Sequence, residues 1–448
     1  MNPGLAPRSA AWRVLHDLRH GVPLDRALQR ALSGLGDADR ALAHEIAAGV
    51  LRHRNPLDAA LTPFLSGGTA KVRDDVLDIL RLGAYQLLFL DRVPHHAAVD
   101  TAVTLARRFG GAGVGGFVNA VLRKVASRES GIGGRGSGLD THLPKPDTPT
   151  PTPAAFAAQF SHPEWLVARW VQRFGPEETE ALLRANNARP KIVIQPARWS
   201  EDAIITLLDA AGIRWEHAGF GAGLVISGRR PQDLPGFSTG AWYVQDPAQA
   251  LVVRFATLPE QCIVFDAAAA PGGKAIGLSR TSRFLVAGDL RPARARRLRE
   301  NLDRAASGPW AVIAADGERP PIRGCDVAIL DAPCLGTGVF ARHPDARWRV
   351  TPQALSAVAQ RAARMLRSLA EIVRPGGMLI FATCSLEPEE NELQVEAFLA
   401  ADPRFRRERP PADVLPPDLL TRTGDLVLLP HLHGTDGAYA ARLRRVDE

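Results

Sequence analysis

Two cysteines stand where a nucleophile would be expected, Cys334 in DAPCLGTGVFARHPDARW and Cys384 in FATCSLEPEENE. Each follows an apolar run that reads as a strand, residues 326–331 and 377–383. A thiol just past a strand end, beside Pro or between Thr and Ser, can face a substrate and form a transient covalent bond. The remaining cysteines, Cys262 and Cys325, lie inside apolar runs and read as small buried hydrophobes. No two of the four make a C-x-x-C pair, their spacing suits no zinc framework, and no metal site is expected.

Further strand candidates are 262–266, 284–288 and 310–315. Their ends, with those of the two strands above, present Asp266, Asp289, Asp316, Asp331 and Cys384. In open α/β sheets ligands bind outside the carboxyl ends of the strands, so five polar or reactive groups there point to one pocket. The first strand runs into DAAAAPGGK, residues 266–274. Gly272 and Gly273 allow close backbone approach, and Ala268, Ala269 and Ala270 leave room for a bulky ligand. A P-loop needs Gly at 268 and Ser or Thr at 275, and both are Ala; G-x-G-x-x-G is absent too. Asp289 is placed to take the two hydroxyls of a ribose, and Asp316 to meet an adenine amino group. A cofactor carrying a nucleoside but no triphosphate fits this pattern.

These groups need a scaffold, and the chain supplies several domains, as 448 residues exceed one ordinary core. Residues 1–130 read as an all-α domain. Apolar residues recur at helical spacing (Val76, Leu77, Leu80, Tyr85, Leu88), with Pro23, Pro56, Pro63 and Pro94 in first turns or connections. Residues 131–153, rich in Gly and Pro, read as a flexible linker. Residues 154–240 read as a small α+β subdomain that begins with helices. Residues 241–448 alternate strand and helix, implying a doubly wound parallel sheet, an α/β Rossmann-like domain closed by late strands at 425–429 and 438–443. Lys and Arg number 55 against 48 acids. Residues 1–130 hold 17 and 12 of these, so most of the surplus, which suits an anionic partner such as nucleic acid, lies in the front domain. Four cysteines in so long a chain suit a reducing compartment. Arg8, Arg13 and Asp17 break any signal-peptide core, and no apolar run is long enough to span a bilayer. A cytoplasmic monomer without membrane contact is expected.

The motifs DAAAAPGGK, DAPCLGTGVFARHPDARW and FATCSLEPEENE together resemble the RNA 5-cytosine methyltransferases of the NOL/NOP/Sun family. The front segments RSAAWRVL, LRLGAYQLLFLDRVPHHAAVDTAVTLAR and GFVNAVLRK resemble the NusB-like RNA-binding domain. That combination is similar to the RsmB-type (Sun/Fmu) ribosomal RNA methyltransferases. The resemblance implies methyl transfer from S-adenosylmethionine, leaving S-adenosylhomocysteine, to C5 of a cytosine in 16S ribosomal RNA. Ala268, Ala269, Ala270, Pro271, Gly272, Gly273 and Lys274 would cradle the methionine end, Asp289 the ribose and Asp316 the adenine. Asp331 would bind at the substrate-facing side of the cofactor pocket and activate the cytosine in its neutral form. Cys384 would be the nucleophile, and Cys334 would assist product release. The chain departs from the family pattern at Ala268, at Leu335, in its long linker, and near Gln195, where KIVIQPAR lacks the common Arg-x-Asn.

Two rivals stand beside this reading. A DNA cytosine methyltransferase would use Cys334 as nucleophile, and a non-catalytic RNA-binding factor would use the front domain alone. Other features have plainer readings: His343-Pro344-Asp345 as loop stiffening, His95-His96 as a helix start, Glu387, Glu389 and Glu390 as the first turn of the helix after Cys384, and RRER at 406–409 as an exposed charged loop.

Overall fold

The computed structural model describes residues 4–111, 113–131, 151–227 and 230–446. The linker expected at 131–153 falls almost entirely on residues 132–150, outside that set; Gly131 ends one helix and Pro153 starts the next. The chain forms two compact units, Met1–Asn187 with His343–Arg349, and Ala188–Arg342 with Val350–Glu448.

The first unit is helical. Its central helix, Asp74–Phe89, is apolar on nearly every face, which is the pattern of a helix surrounded by others; Val76, Leu77, Ile79, Leu80, Leu82, Ala84, Tyr85 and Leu87 are all buried. Glycine sets the closeness of packing: a Cβ at Gly83 would come within 2.4 Å of Leu122. Pro23 and Pro94 precede the first residues of Leu24–Ala31 and His95–Leu105, so His95-His96 does open a helix. The helices Pro153–Phe160, Glu164–Phe174 and Pro176–Asn187, which the sequence groups with the strands that follow, pack in this unit instead. So does the distant segment 343–349. Its Arg347 is fully buried and donates to Asn187 Oδ1 at 2.6 Å and Asn186 O at 2.9 Å, while Trp348 Nε1 donates to Leu51 O at 3.3 Å. His343-Pro344-Asp345 thus leads into a buried anchor.

The second unit holds two sheets. The smaller is antiparallel, from β1 (Ile192–Pro196), β2 (Trp215–His217), β3 (Leu224–Ile226) and β4 (Trp242–Val244) in the order β2-β3-β1-β4. Helix Glu201–Ala210, capped by Ser200, lays Ile204 and Leu208 on its apolar face. The larger comprises β5 (Ile263–Asp266), β6 (Phe284–Asp289), β7 (Trp310–Ala314), β8 (Cys325–Asp331), β9 (Val373–Thr383), β10 (Phe405–Arg407), β11 (Leu426–Leu428) and β12 (Ala438–Arg445). The order is β10-β12-β9-β8-β5-β6-β7, with β11 also on β12. β5 to β9 are parallel and sit between two apolar layers, which explains their unbroken apolar sequences. The strand order reverses between β5 and β8, the crevice where such sheets bind ligands.

The structure corrects the all-parallel expectation in one respect. β12 runs antiparallel to β9, β10 and β11, because it returns directly from β11 without the long crossover that parallel pairing needs. RRER at 406–409 is likewise no exposed loop. Arg406 and Arg407 belong to β10, and Glu408 accepts from Arg442 at 2.7 Å and Arg444 at 2.7 Å on β12.

Candidate active site

β5 ends at Asp266, and residues 267–272 turn sharply into helix Gly273–Leu278. Gly272 has φ +112°, a conformation that side chains disfavour, and a Cβ on Gly273 would lie 2.8 Å from Gln245 Nε2. Neighbours pin this turn by its backbone: Ala269 N donates to Gly288 O at 2.8 Å, Arg294 to Ala270 O at 2.7 Å, and Asn301 to Pro271 O at 2.8 Å. Lys274, the last residue of the motif, turns back and donates to Asp331 Oδ2 at 2.6 Å, joining the ends of β5 and β8.

The carboxylates fall into different settings. Asp289 is buried, accepts from Arg291 N at 3.0 Å and meets Arg294 Nε at 3.2 Å. Asp316 lies two residues past β7, accepts from Glu318 N at 3.0 Å and is half-buried. Asp331 is 35% exposed. Asp266 is 1% exposed, and neither of its oxygens has a hydrogen bond of normal geometry. Burial, reinforced by the nearby Asp331 carboxylate, pushes its pKa up to about 7, against the pull of Lys274. Asp266 is thus a carboxyl that burial drives towards its neutral form, and beside it Asp331 lies 2.6 Å from Lys274 Nζ.

Cys334 and Cys384 come together, with Sγ atoms 3.4 Å apart and both thiols half-buried. The hydrogen bond to Cys384 is the largest influence raising the Cys334 thiol well above its ordinary range; burial and the carboxylates of Glu390 and Asp331 add to it. The loops bearing the two sulfurs are cross-linked: Gly338 N donates to Cys384 O at 3.0 Å, Leu386 N to Thr337 Oγ1 at 2.8 Å, and Leu335 N to Glu390 Oε1 at 2.8 Å. Ser385 Oγ donates to Glu390 Oε2 and lies 3.2 Å from Thr337 Oγ1. Thr383 Oγ1 and Asn391 brace the same turn. Glu390 is therefore no solvated first-turn residue, as its place in an acidic run suggests. It is 1% exposed, and burial raises it to about 7 against the pull of its hydrogen bonds. Glu390, Ser385, Thr337 and Asn391 escape the sequence reading as site residues, although a Glu six residues after the Cys of a Cys-Ser pair is a usable signal.

Other candidates lie elsewhere. Cys262 and Cys325 sit at the opposite strand ends, and burial pushes Cys325 up to about 12, the state of an inert thiol. Gln195 turns its amide inward, donating to Ala222 O at 2.8 Å. Among the described residues no cluster of His, Cys, Asp and Glu could hold a metal ion, and no helix is long and apolar enough to cross a membrane.

Comparison with known proteins agrees with this architecture. The sequence model of the 16S rRNA methyltransferase RsmB/F family matches residues 254–444, that of the NusB family residues 6–127, and that of the RsmF/B-like ferredoxin-like domain residues 162–232. The chain is 32% identical over 462 residues to the probable ribosomal RNA small subunit methyltransferase B of Synechocystis sp., covering 98% of this chain and 100% of that one. It is 34% identical to ribosomal RNA small subunit methyltransferase B of Vibrio cholerae, over 91% of each. The crystal structure of PH0851 shares the fold, with TM-score 0.79 over 99% of both chains at 22% identity.

Proposed function

The chain belongs to the RsmB/F family of 16S ribosomal RNA methyltransferases, and from that premise we propose that it methylates C5 of a cytosine in that RNA through a transient Cys384–C6 bond. The reading rests on one observation: two thiols 3.4 Å apart on the loops after β8 and β9, with Asp331 at the end of β8 touching Lys274 of the glycine turn. Residues 1–130 would hold the RNA and residues 241–448 would carry out the chemistry, in a cytoplasmic monomer.

S-adenosylmethionine, when bound, supplies an electrophilic methyl group on a positively charged sulfur. The residues present fit it. The buried Asp266 carboxyl has no hydrogen bond of normal geometry beside the glycine turn, Asp289 offers a carboxylate for a ribose diol, and Ala268 to Ala270 leave space. Asp316 would approach the adenine.

The target ring needs help, because C5 of cytosine is a poor nucleophile. The Cys384 thiolate adds to C6, and the electron pair of the C5–C6 double bond passes into the ring, making C5 nucleophilic. N3 takes a hydrogen bond or a proton from whichever member of the Asp331–Lys274 pair is protonated, and gives it back when the double bond reforms. Once C5 carries the methyl group, its proton passes to water, the double bond reforms and the Cys384–C6 bond breaks. Cys334, held as a thiol, donates its S–H to the departing sulfur and so assists release. Extruding the base from its stack costs a few kcal/mol, least in a single-stranded loop.

The test is the product. An unmethylated small-subunit ribosomal RNA transcript, incubated with the protein and isotopically labelled S-adenosylmethionine, is digested and its nucleosides are weighed. The label is expected in 5-methylcytidine; label on another base, on N4 or on a ribose overturns the reading.

A further inference from the structure

Glu390 takes no part in the chemistry above, yet its side chain, like that of Thr337, joins the two cysteine loops. Its Oε1 accepts from Leu335 N at 2.8 Å, the amide next to Cys334, and its Oε2 accepts from Ser385 Oγ, the hydroxyl next to Cys384. We propose that Glu390 is a positioning residue that holds Cys334 against Cys384 during the release of methylated RNA. This rests on the roles given to the two cysteines under the proposed function.

The two loops depend on it unequally. The Cys384 loop keeps other supports when Glu390 is removed. Ser385 N donates to Thr383 Oγ1 at 3.2 Å, Asn391 Nδ2 to Ser385 O at 2.9 Å, and Leu386 N to Thr337 Oγ1 at 2.8 Å. On the Cys334 side, Ala332 N donates to Ala382 O at 2.7 Å and Gly338 N to Cys384 O at 3.0 Å, but the bond from Leu335 N is the one at the residue adjoining the sulfur. Loss of the carboxylate would therefore loosen the segment at Cys334, between the supports at Ala332 and Thr337, while leaving the nucleophile in place. Both carboxyl oxygens of Glu390 accept, one from each loop. Ser385 O–H points to Glu390, leaving the Ser385 oxygen to accept from Glu387 N at 3.1 Å. A carboxylate 1% exposed costs stability unless its bonds do something in return. Fixing the 3.4 Å sulfur separation is a role that a core residue of the same size could not fill.

The consequence is specific to one step. In Glu390→Ala, attack by Cys384 proceeds but the departing sulfur loses its donor, so the covalent enzyme–RNA adduct accumulates. The experiment incubates the full-length protein with S-adenosylmethionine and the unmethylated small-subunit ribosomal RNA transcript, then measures the denaturant-resistant adduct and the turnover. Glu390→Ala is expected to lower kcat by about 10²-fold, the cost of a misplaced group. KM for RNA stays unchanged, and the adduct fraction rises towards that of Cys334→Ala. Glu390→Gln keeps an acceptor for the Leu335 N–H and should lose no more than about tenfold, without adduct build-up. If the Ala variant does not fold, Glu390→Asp serves, because it is one methylene too short to reach Leu335 N while Ser385 is still engaged.

The inference is overturned if Cys334→Ala accumulates adduct but a folded Glu390→Ala or Glu390→Asp turns it over like the wild type, or if Glu390→Gln is as impaired as Glu390→Ala. Should neither the wild type nor Cys334→Ala ever form an adduct, the proposed function fails instead, and the two failures are told apart.

Discussion

At the scale of single residues, the chain concentrates its costly groups at one end of β5, β8 and β9. Asp266 is the clearest case. Its carboxyl is raised to about 7, whereas an unfolded Asp titrates near 3.9. Between those values the folded chain holds the proton more tightly than the unfolded one, so stability falls as pH climbs through that window and the loss is complete above it. Asp266→Asn, of the same shape, should therefore raise the unfolding midpoint at pH 8 by about 1–3 kcal/mol of stability. The gain should vanish near pH 4, and affinity for S-adenosylmethionine should be lost. Thermal melts at the two pH values check this; a variant no more stable than wild type at pH 8 contradicts it. The aspartates and cysteines at strand ends were legible because a strand end is marked by where an apolar run stops. Which carboxyl is stripped of partners was not legible, since that depends on Lys274 folding back onto Asp331 across 57 positions of sequence.

At the scale of elements, the parallel strands could be read from their continuous apolar runs, and their bounds differ from expectation by a few residues at most. What the sequence could not display was how loops at neighbouring strand ends grip each other. Glu390 reads as the first turn of a helix because adjacent acids favour that position, but here residues 388–390 form a tight turn and the carboxylate folds beneath Leu335. Gly338 marks the tightest point of the same contact. A Cβ there would lie 2.7 Å from Gly437 Cα and 2.9 Å from Cys384 O, both backbone atoms that cannot give way cheaply. Gly338→Ala should cost about 1–3 kcal/mol, the usual cost of overpacking, and lower the rate of methyl transfer because the Cys384 carbonyl must move. Denaturant unfolding and single-turnover assays measure both; a variant of wild-type stability and rate would show that the approach of these loops is looser than described.

At the scale of the whole molecule, sequence composition points towards a polyanionic partner through an excess of seven positive charges, five of them within residues 1–130. It gives no sign that residues 343–349 belong to the helical unit, because their partners Asn186 and Asn187 lie more than 150 positions earlier. The proposed function gives the two sulfurs different tasks, and that division of labour is open to one direct measurement. Cys334→Ala and Cys384→Ala are made in the full chain and mixed separately with S-adenosylmethionine and the unmethylated small-subunit ribosomal RNA transcript, and the protein is resolved under denaturing conditions. A slow-migrating protein–RNA species is predicted to build up with Cys334→Ala and to be absent with Cys384→Ala. Its persistence in Cys384→Ala, or its loss in Cys334→Ala alone, would contradict the assignment of the nucleophile.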